Sequence, residues 1–347
     1  MPASTALRVS IVILNWNGWE DTLACLESVR RSDYPDFRII LVDNGSTNDS
    51  LERISAWCAG KMPVISINAA TQEKGPAEAE NMDSLPPAER PLVILKTGKN
   101  LGFSEGNNVA IRRALAGSRP ADVVFLLNND TRIETGAVSR AVEVLRERQA
   151  GIVGCVIKDA SGTVTLFGGD LRPPKFFYAP YRLFLRKHKP GDEAVSVVWG
   201  TAMLIRRDVL LAHEARFGHF LNPSYFLYME DYDFCFETQK MGYPIIVAKN
   251  AVVYHGHTAN YAQTKFRNAI TLYYSTRNTI HIANSFLPIG WRLIFHLYFP
   301  LVRCKDIFLL LIRRKTIEVR ALLDGLRDGY RGVKGEWPKH PSESRTS

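Results

Sequence analysis

The stretch VVFLLNNDT, Val123–Thr131, sets five apolar residues directly before Asn128, Asn129 and Asp130. A short apolar run that ends in Asn or Asp is typical of a strand buried on both faces, as in a parallel sheet. Ligands of open α/β sheets bind just beyond the carboxyl ends of such strands. The pattern therefore predicts that Asp130 lies where a metal ion or a phosphate is held. The alternative is that Asn-Asn-Asp-Thr forms only a turn and the cap of the next helix.

Two earlier apolar runs predict further strands of the same sheet. Val9–Leu14 and Phe37–Val42 are each followed by a helical pattern, over Trp19–Arg31 and Asp49–Cys58. Strands that alternate with helices at this spacing indicate βαβ units. We therefore expect an α/β fold with a mostly parallel central sheet flanked by helices. Residues 69–91 lack periodicity, which indicates a surface insertion.

The positive charge of the chain is concentrated at one end. A length of 347 residues allows two domains, or one domain with an appendage. Residues 258–347 hold 15 Lys/Arg and 6 Asp/Glu, whereas the rest of the chain holds 29 of each. Such asymmetry predicts an anionic partner for the C-terminal quarter: a membrane surface, a nucleic acid or an acidic substrate. Because no nucleic-acid recognition motif accompanies the charge, we expect no nucleic-acid partner.

The cysteines favour a reducing compartment. The five cysteines are scattered and include no CxxC pair. An odd, dispersed set is typical of reduced thiols in a cytosolic protein, and it argues against a disulfide framework or a zinc site. The apolar run Val9–Leu14 is too short for the core of a signal peptide.

A Gly- and Asn-rich segment, Asn100–Asn108 (NLGFSEGNN), leads into a helix that is predicted from about Asn107 to Leu115. A glycine loop before a helix N-terminus is suited to phosphate contact through free backbone N–H groups. The segment matches neither GxGxxG nor GxxxxGK[ST]. It therefore indicates neither a Rossmann dinucleotide site nor a P-loop.

A polar and aromatic block, Phe226–Glu237 (FLYMEDYDFCFE), contains Glu230, Asp231 and Asp233. On a helix, Glu230 and Asp233 would share a face and Asp231 would point elsewhere. Carboxylates among aromatic residues are costly to bury, which favours a functional site. The alternatives are a solvated helix face or an N-terminal helix cap.

The C-terminal region has a different pattern. Pro288–Ile312 is apolar but contains Arg292, Arg303 and Lys305, and Arg313–Lys315 follows it. These charges interrupt the run too often for a spanning helix, which needs ~20 apolar residues. An amphipathic helix in the membrane interface, with basic residues toward anionic lipid, fits the pattern. The alternative is a core-packing helix pair with a basic solvent face.

Four segments occur in a fixed order: VDNGS (42–46), NLGFSEGNN (100–108), LNND (127–130), and YMEDYD (228–233) followed by YHGH (254–257). This set resembles glycosyltransferase family 2, the inverting enzymes of GT-A fold. Within the family it is similar to the bacterial rhamnosyltransferases of surface-polysaccharide assembly. The opening ILNWNG and the later YYSTRN are also similar to that group, and the resemblance covers about residues 8–285. It implies a Rossmann-like GT-A core with a C-terminal helical appendage.

The resemblance also implies roles for single residues. Asp43 would contact the nucleotide base, and the pair Glu230 and Asp231 stands where the family keeps its catalytic base, usually the Asp. The implied donor-binding residues are Asn15, Asn17, Asp43, Asn44, Gly102, Asn107, Asn108 and Asn129. The implied metal ligands are Asp130, His255 and Asn128, with His257 as the weaker candidate histidine. Asn128 and Asn129 stand where the family often has acids, so only Asp130 offers a full charge to the metal.

The implied reaction moves a sugar from a nucleoside diphosphate to an acceptor hydroxyl, with inversion at the anomeric carbon. Mg²⁺ or Mn²⁺ would stabilise the leaving diphosphate, and an imidazole ligand leans toward Mn²⁺. Asp231 would be the single base that such a displacement needs. The assignment of Glu230 as base, with Asp231 orienting the acceptor, stays open.

These inferences define the expected partners and domains. The donor is a UDP- or dTDP-sugar, with rhamnose as one candidate sugar. The acceptor is a cell-surface glycan or a polyprenyl-linked acceptor. Residues 1–257 would form the transferase domain (donor half 1–130, acceptor half 131–257), residues 258–335 a basic, amphipathic helical region, and residues 336–347 a disordered tail. The protein would be cytoplasmic and peripheral on the inner face of the membrane.

Two other functions compete with this one. A nucleotidyltransferase would carry Arg and Lys in a glycine-rich loop after the first strand, where this chain has Asn15–Gly18 (NWNG). A catalytically weak or inactive nucleotide-sugar-binding protein at the membrane would account for the missing acids of LNND. The presence of Asp130, Glu230, Asp231 and His255 together argues against it.

Overall fold

The structure is a computed structural model that describes residues 6–69, 92–166, 168–170, 186–187, 193–256 and 264–337. Within these residues, one sheet of 11 strands forms the centre of the molecule. The predicted surface insertion lies outside the described residues except for Ala69. His257 also lies outside them, as does the chain after Trp337.

The N-terminal half of the sheet is parallel. Its strands are β1 (Val9–Asn15), β2 (Phe37–Asp43), β3 (Val64–Asn68), β4 (Leu92–Lys96) and β5 (Val123–Asn128). They lie in the order β3-β4-β2-β1-β5, and each neighbouring pair is parallel. The helices of this half are α1 (Trp19–Arg30), α2 (Ser50–Cys58) and α3 (Gly102–Leu115). The prediction of a mostly parallel α/β sheet is confirmed.

Burial on two faces explains why the β5 run is uninterrupted. Phe125 and Leu127 pack into the hydrophobic cluster on the side of α1, whereas Val124 and Leu126 pack into the cluster on the side of α3. Successive side chains of a strand point to opposite faces, so a strand covered on both sides needs apolar residues at every position.

The C-terminal half of the sheet is mixed. Its strands are β6 (Thr131–Ile133), β7 (Ile152–Lys158), β8 (Val164–Leu166), β11 (Glu193–Ala194), β12 (Ala202–Arg206) and β13 (Ile245–His255); β9 (Gly169–Asp170) and β10 (Arg186–Lys187) form a separate pair. Strand β12 runs antiparallel to β5 and β7, and β13 runs parallel to β7. The helices here are α4 (Ala137–Glu147), α5 (Arg207–Phe217) and α6 (Glu230–Lys240).

Three further helices follow the sheet: α7 (Thr264–Phe286), α8 (Ile289–Ile312) and α9 (Thr316–Tyr330). Helices α7 and α9 approach closely because glycines face the contact; a Cβ at Gly325 would lie 2.7 Å from the Tyr273 carbonyl oxygen. Among the described residues, no helix combines the length and apolar character needed to cross a bilayer. Trp337 is buried, and its ring stacks on Tyr273 with 4.4 Å between the ring centres.

Helix α3 starts earlier than predicted, at Gly102 instead of near Asn107. Two asparagine side chains from outside the helix explain the difference. Asn44 Oδ1 accepts from Leu101 N at 3.0 Å, and Asn100 Oδ1 accepts from Gly102 N at 2.9 Å. Side-chain acceptors at these N–H groups stabilise a helix start at the glycine.

Candidate active site

The register of the central strands brings the predicted polar residues to one edge of the sheet. Asn15 of β1 is level with Asp43 of β2, and Leu14 is level with Asn128 of β5. The carboxyl ends of parallel strands form the edge at which α/β proteins bind ligands. Asn15, Asp43 and Asn128 therefore lie in a row along this edge.

Asn15 is fully buried and uses its whole hydrogen-bonding capacity inside the protein. Its Nδ2 donates to Asp43 Oδ1 and to Ser46 Oγ, both at 3.1 Å. Its Oδ1 accepts from Gly18 N at 3.2 Å and from Thr22 Oγ1 at 2.9 Å. An amide side chain has two N–H groups and two lone pairs, so none is left for a ligand. Asn15 builds the site by holding Asp43 in place.

Asn44 and Asn17 also build loops. Asn44 Nδ2 donates to the Gly102 carbonyl oxygen at 3.1 Å, which ties the end of β2 to the start of α3. Asn17 has φ 55°, and its Oδ1 accepts from Thr47 N at 2.8 Å. Asp43, in contrast, retains acceptor capacity, because each of its carboxylate oxygens can take a further hydrogen bond.

The remaining asparagines of the predicted donor site point into the protein. Asn107 Nδ2 donates to a carbonyl of its own helix at 2.8 Å. Asn108 exchanges two hydrogen bonds with the Leu221 backbone, each 2.8 Å long. Asn129 Nδ2 donates to Thr22 Oγ1 at 3.0 Å. The contacts of Asn108 and Asn129 join separate segments near this edge of the sheet.

The structure brings together two of the three predicted metal ligands. His255 Nε2 lies 3.1 Å from Asp130 Oδ1. The antiparallel pairing of β6 with β13 sets His255 level with Thr131, the neighbour of Asp130. The described part of the chain contains no group of three or more His, Cys, Asp or Glu residues suited to a metal ion.

Asp231 lies at the same edge through a chain of backbone contacts. Asn128 N donates to the Thr201 carbonyl oxygen at 3.0 Å, which holds the segment before β12 against the end of β5. The neighbouring Gly200 N donates to Asp231 Oδ2 at 3.2 Å. The carboxylate at the start of α6 is thereby placed beside the carboxyl ends of the parallel strands.

Burial perturbs the carboxylates at the start of α6. It raises the pKa of Asp231 to about 6, although hydrogen bonds from the Gly200 and Tyr232 N–H groups favour the charged form. Burial and the neighbouring Asp231 charge hold the pKa of Glu230 well above its usual range. Glu230 Oε2 is buried without a hydrogen-bond partner among the described residues. This burial excludes the alternative of a solvated face. The alternative of a helix cap is also excluded, because Met229 occupies the cap position of α6 and no described side chain caps the helix.

A sequence profile of the family described as "Glycosyltransferase like family 2" matches residues 7–271. The chain belongs to this family. It is a glycosyltransferase, as the resemblance predicted.

Named relatives agree with this assignment. The transferase is 26% identical over 286 residues to the low-salt glycan biosynthesis hexosyltransferase Agl10 of Haloferax volcanii, covering 80% of this chain and 76% of the relative. It is also 26% identical over 182 residues to the N-acetylglucosaminyl-diphospho-decaprenol L-rhamnosyltransferase of Mycobacterium tuberculosis. That match covers 47% of this chain and 58% of the relative.

Solved structures show the fold. A mannosyltransferase, PcManGT from Pyrobaculum calidifontis in complex with GDP-Man and Mn²⁺, aligns with TM-score 0.52 and 16% identity over 96% of this chain and 78% of that one. S. aureus TarS 1-349 in complex with UDP-GlcNAc aligns with TM-score 0.53 and 15% identity over 94% of this chain and 82% of that one. The predicted GT-A fold of the transferase is confirmed.

The glycine segment of the transferase serves a different contact from the predicted one. Gly102 has φ +74°, and a Cβ there would lie 2.4 Å from the Phe226 carbonyl oxygen. That oxygen accepts from Phe103 N at 2.6 Å. The N–H groups of Leu101, Gly102 and Phe103 thus donate to protein atoms. The role of Gly102 in donor binding stays a prediction.

Several residues of the site were not predicted. Ser46 and Thr22 hold Asn15, and Gly200 holds Asp231. Ser46 lies inside the VDNGS segment and could have been found there. Gly200 carries no such signal, since a single glycine before a strand is common. A Cβ at Gly200 would lie 3.1 Å from the Phe103 ring, so the packing at this position is tight.

Proposed function

We propose that this glycosyltransferase moves a sugar, with rhamnose as the first candidate, from a UDP- or dTDP-sugar to a hydroxyl of a surface glycan or polyprenyl-linked acceptor. Asp231 is the proposed base. The supporting observation is its position: a buried carboxylate at the strand edge, held by Gly200 N, whose pKa is raised to about 6. A general base is most effective when its pKa is near the operating pH.

The proposed step is a single displacement. The acceptor oxygen forms a bond to the anomeric carbon, and its proton passes to the Asp231 carboxylate. The bond between that carbon and the diphosphate oxygen breaks, and the nucleoside diphosphate leaves with the electron pair. One base on the face opposite the leaving group suffices, which gives inversion. Asp43 is the proposed contact for the nucleotide base.

The residues present fit a divalent cation at Asp130 and His255. Two ligands at right angles, each ~2.1 Å from one ion, lie about 3 Å apart. The observed separation of 3.1 Å matches that geometry. We infer that Mg²⁺ or Mn²⁺ binds here, with Asn128 as a neighbouring oxygen donor and the donor diphosphate completing the shell. When bound, the ion would offset charge on the leaving diphosphate.

The relatives support the proposed substrates. The Mycobacterium tuberculosis relative is named for a rhamnose transfer to a decaprenyl-diphosphate-linked sugar, and the neighbouring structures hold GDP-Man or UDP-GlcNAc. This transferase spans only 58% of the rhamnosyltransferase. The sugar and the lipid-linked acceptor are therefore inferences from similarity.

The surface of α8 supports a membrane partner. Leu293, Leu297 and Leu301 form a stripe at helical spacing and are 60%, 75% and 65% exposed. Arg313 and Arg314 are exposed at the end of the helix. An apolar stripe next to basic residues fits the interface of an anionic bilayer. With the cysteines free in the structure, we infer a peripheral position on the cytoplasmic face.

The first experiment measures thermal stability with a panel of UDP-, dTDP- and GDP-sugars, with and without Mn²⁺. A ligand that binds only the folded state raises the melting temperature by mass action, so the acceptor need not be known. We expect one UDP- or dTDP-sugar to stabilise the protein only when Mn²⁺ is present. If no nucleotide sugar stabilises the folded protein with Mn²⁺ present, the proposed donor site is wrong.

A second experiment tests the membrane partner. Sedimentation with phosphatidylglycerol-containing vesicles should capture the protein, and neutral phosphatidylcholine vesicles should capture it weakly. Replacing Arg313 and Arg314 by Glu should weaken capture by roughly 5-fold or more per residue, since each basic residue contributes about 1 kcal/mol at an anionic surface. Equal capture by both vesicle types would contradict the role of charge.

A further inference from the structure

The segment that leads into α6 has an unusual backbone. Phe226, Tyr228 and Met229 have φ of 63°, 65° and 72°, although none of them is glycine. Non-glycine residues keep this conformation only when their surroundings fix it. The last of them, Met229, directly precedes Glu230 and Asp231. The direction in which α6 presents its two carboxylates therefore depends on whatever holds this segment.

Two buried residues in the middle of α7 hold it from one side. Asn278 Nδ2 donates to the carbonyl oxygens of Tyr225, Leu227 and Tyr228, at 3.0, 2.8 and 2.8 Å. Two amide hydrogens serve three acceptors, so at least one of these bonds is shared. One side chain thus holds three backbone carbonyl groups of this segment in place.

Arg277 orients the amide and adds a further contact. Its Nε donates to Asn278 Oδ1 at 2.8 Å, and one terminal nitrogen donates to the Tyr225 carbonyl oxygen at 2.9 Å. The guanidinium carbon lies 5.3 and 5.0 Å from the Tyr273 and Tyr274 ring centres. The side chain is fully buried. A buried guanidinium that donates to backbone carbonyl groups indicates a specific structural role.

The start of α3 holds the segment from the other side. Phe103 N donates to the Phe226 carbonyl oxygen at 2.6 Å, and Gly102 allows this approach. The segment is therefore clamped between α3 at the sheet edge and α7 outside the sheet.

We propose that Arg277 and Asn278 are positioning residues that set the geometry of the carboxylates at the start of α6. The proposal rests on the proposed role of Asp231 as base. It also assigns α7 a task in the transferase domain, although sequence reasoning placed residues 258–335 in a separate basic, amphipathic helical region. Arg277 and Asn278 donate hydrogen bonds to backbone carbonyl oxygens and, among the described residues, to neither carboxylate. They therefore act through the backbone of residues 225–229.

The test compares Asn278→Ala with Tyr273→Phe. Tyr273→Phe removes the hydrogen bond from Tyr273 to Asp328 Oδ2, which is 2.9 Å long and joins α7 to α9, while the Phe ring retains the contact with the Arg277 guanidinium. The assay uses dTDP-rhamnose, or the panel sugar that stabilises the protein, with a short-chain polyprenyl-diphospho-N-acetylglucosamine. Asn278→Ala should lower kcat about 10²-fold with little change in the donor KM, because small misplacements of catalytic groups cost this much. The pH at which its kcat/KM is half-maximal should also shift, while Tyr273→Phe should leave both quantities near the wild-type values.

Amide hydrogen exchange adds a readout that needs no substrate. In Asn278→Ala the amides of residues 225–231 should exchange at least about 10-fold faster, because local opening becomes easier. Arg277→Lys should give a smaller change of the same kind. A folded Asn278→Ala protein with wild-type kcat and exchange would overturn the proposal, as would an equal loss of kcat in Tyr273→Phe. Asp231→Asn in the same assay separates the two ideas: if it retains turnover, the proposed base is wrong whatever Asn278→Ala does.

Discussion

Two regions meet at one edge of the sheet and are built in opposite ways. At the ends of β1 and β2, Asn15, Asp43 and Asn44 bond to one another's loops, and Asn15 leaves no polar atom unpaired. At the start of α6, Glu230 Oε2 is buried without a hydrogen-bond partner among the described residues, and burial raises the pKa of both carboxylates. The first region is a hydrogen-bonded frame, and the second holds the proposed reactive groups.

The difference between the two regions indicates that the segment before α6 lowers the stability of the fold. Each left-handed non-glycine residue before α6 costs roughly 1–2 kcal/mol, and buried carboxylates add a desolvation cost. Contacts from α3 and α7 keep that segment in place. Burial, more than missing hydrogen bonds, raises the pKa at the proposed base, because both oxygens of Asp231 accept backbone hydrogen bonds.

The largest expected effect is on the reactive side. Asp231→Asn should lower kcat by roughly 10²- to 10⁴-fold, because the amide cannot accept the acceptor proton. Donor binding, measured by thermal shift with Mn²⁺, should remain close to wild type. Asp233→Asn is the matched control: Asp233 lies on the same helix turn, accepts from Tyr225 at 3.0 Å and also has a raised pKa, of about 6. Turnover of Asp231→Asn equal to that of Asp233→Asn would contradict the assignment.

The metal pair should show the next largest effect. Asp130→Ala removes the full charge from the proposed cation site and should abolish the Mn²⁺ dependence of donor binding. The donor affinity should fall at least 10- to 100-fold, about the cost of losing a partner that only orients a metal ligand. Asp159→Ala, in a surface turn where Asp159 Oδ1 accepts from Ser161 N and Thr163 N, should keep the wild-type metal response. The measurement is a Mn²⁺ titration of the donor-induced thermal shift. An unchanged titration in Asp130→Ala would contradict the proposed cation site.

On the frame side the expected effect is mainly on stability. Asn15→Ala leaves Asp43, Ser46, Gly18 and Thr22 without their buried partner and should lower the free energy of unfolding by about 1–3 kcal/mol. Chemical denaturation with urea measures it. The donor KM should rise because Asp43 is no longer fixed, while kcat changes little. A loss of kcat with unchanged KM would mean that the frame and the catalytic carboxylates are not separate regions.

Sequence reasoning predicted the frame well for a physical reason. Strands buried on two faces need long apolar runs, so β1, β2 and β5 are visible as patterns, and polar residues at their ends must share one edge. The family resemblance implied that Asp130 and His255 act together, and the structure places the two side chains 3.1 Å apart.

The contacts around α6 could not be predicted in the same way. Asn278 and the Tyr228 carbonyl are 50 residues apart, and no periodicity links a helix side chain to backbone carbonyls. The same holds for Gly102, whose glycine requirement comes from Phe226 in a distant loop and was interpreted as phosphate binding. A side chain that bonds to a backbone group does not require a particular residue type at its partner position. Such contacts therefore leave no signal in the sequence and are found only in the folded structure.

The smallest expected change in activity separates the two carboxylates. Glu230→Gln should lower kcat at most about 10-fold if Asp231 is the base, since Glu230 then affects the reaction only through its charge and packing beside Asp231. Its effect on stability should depend on pH. The folded-state pKa of Glu230 lies above its ordinary value, so Glu230 stabilises the fold at low pH, and this contribution is lost as the pH rises through its folded pKa. The Gln variant should therefore gain about 0.5–2 kcal/mol over wild type near pH 8 and little near pH 4.5, measured as the difference in melting temperature across pH. Near-complete loss of turnover in Glu230→Gln, with Asp231→Asn still active, would instead make Glu230 the base and move the reactive group one residue along the helix.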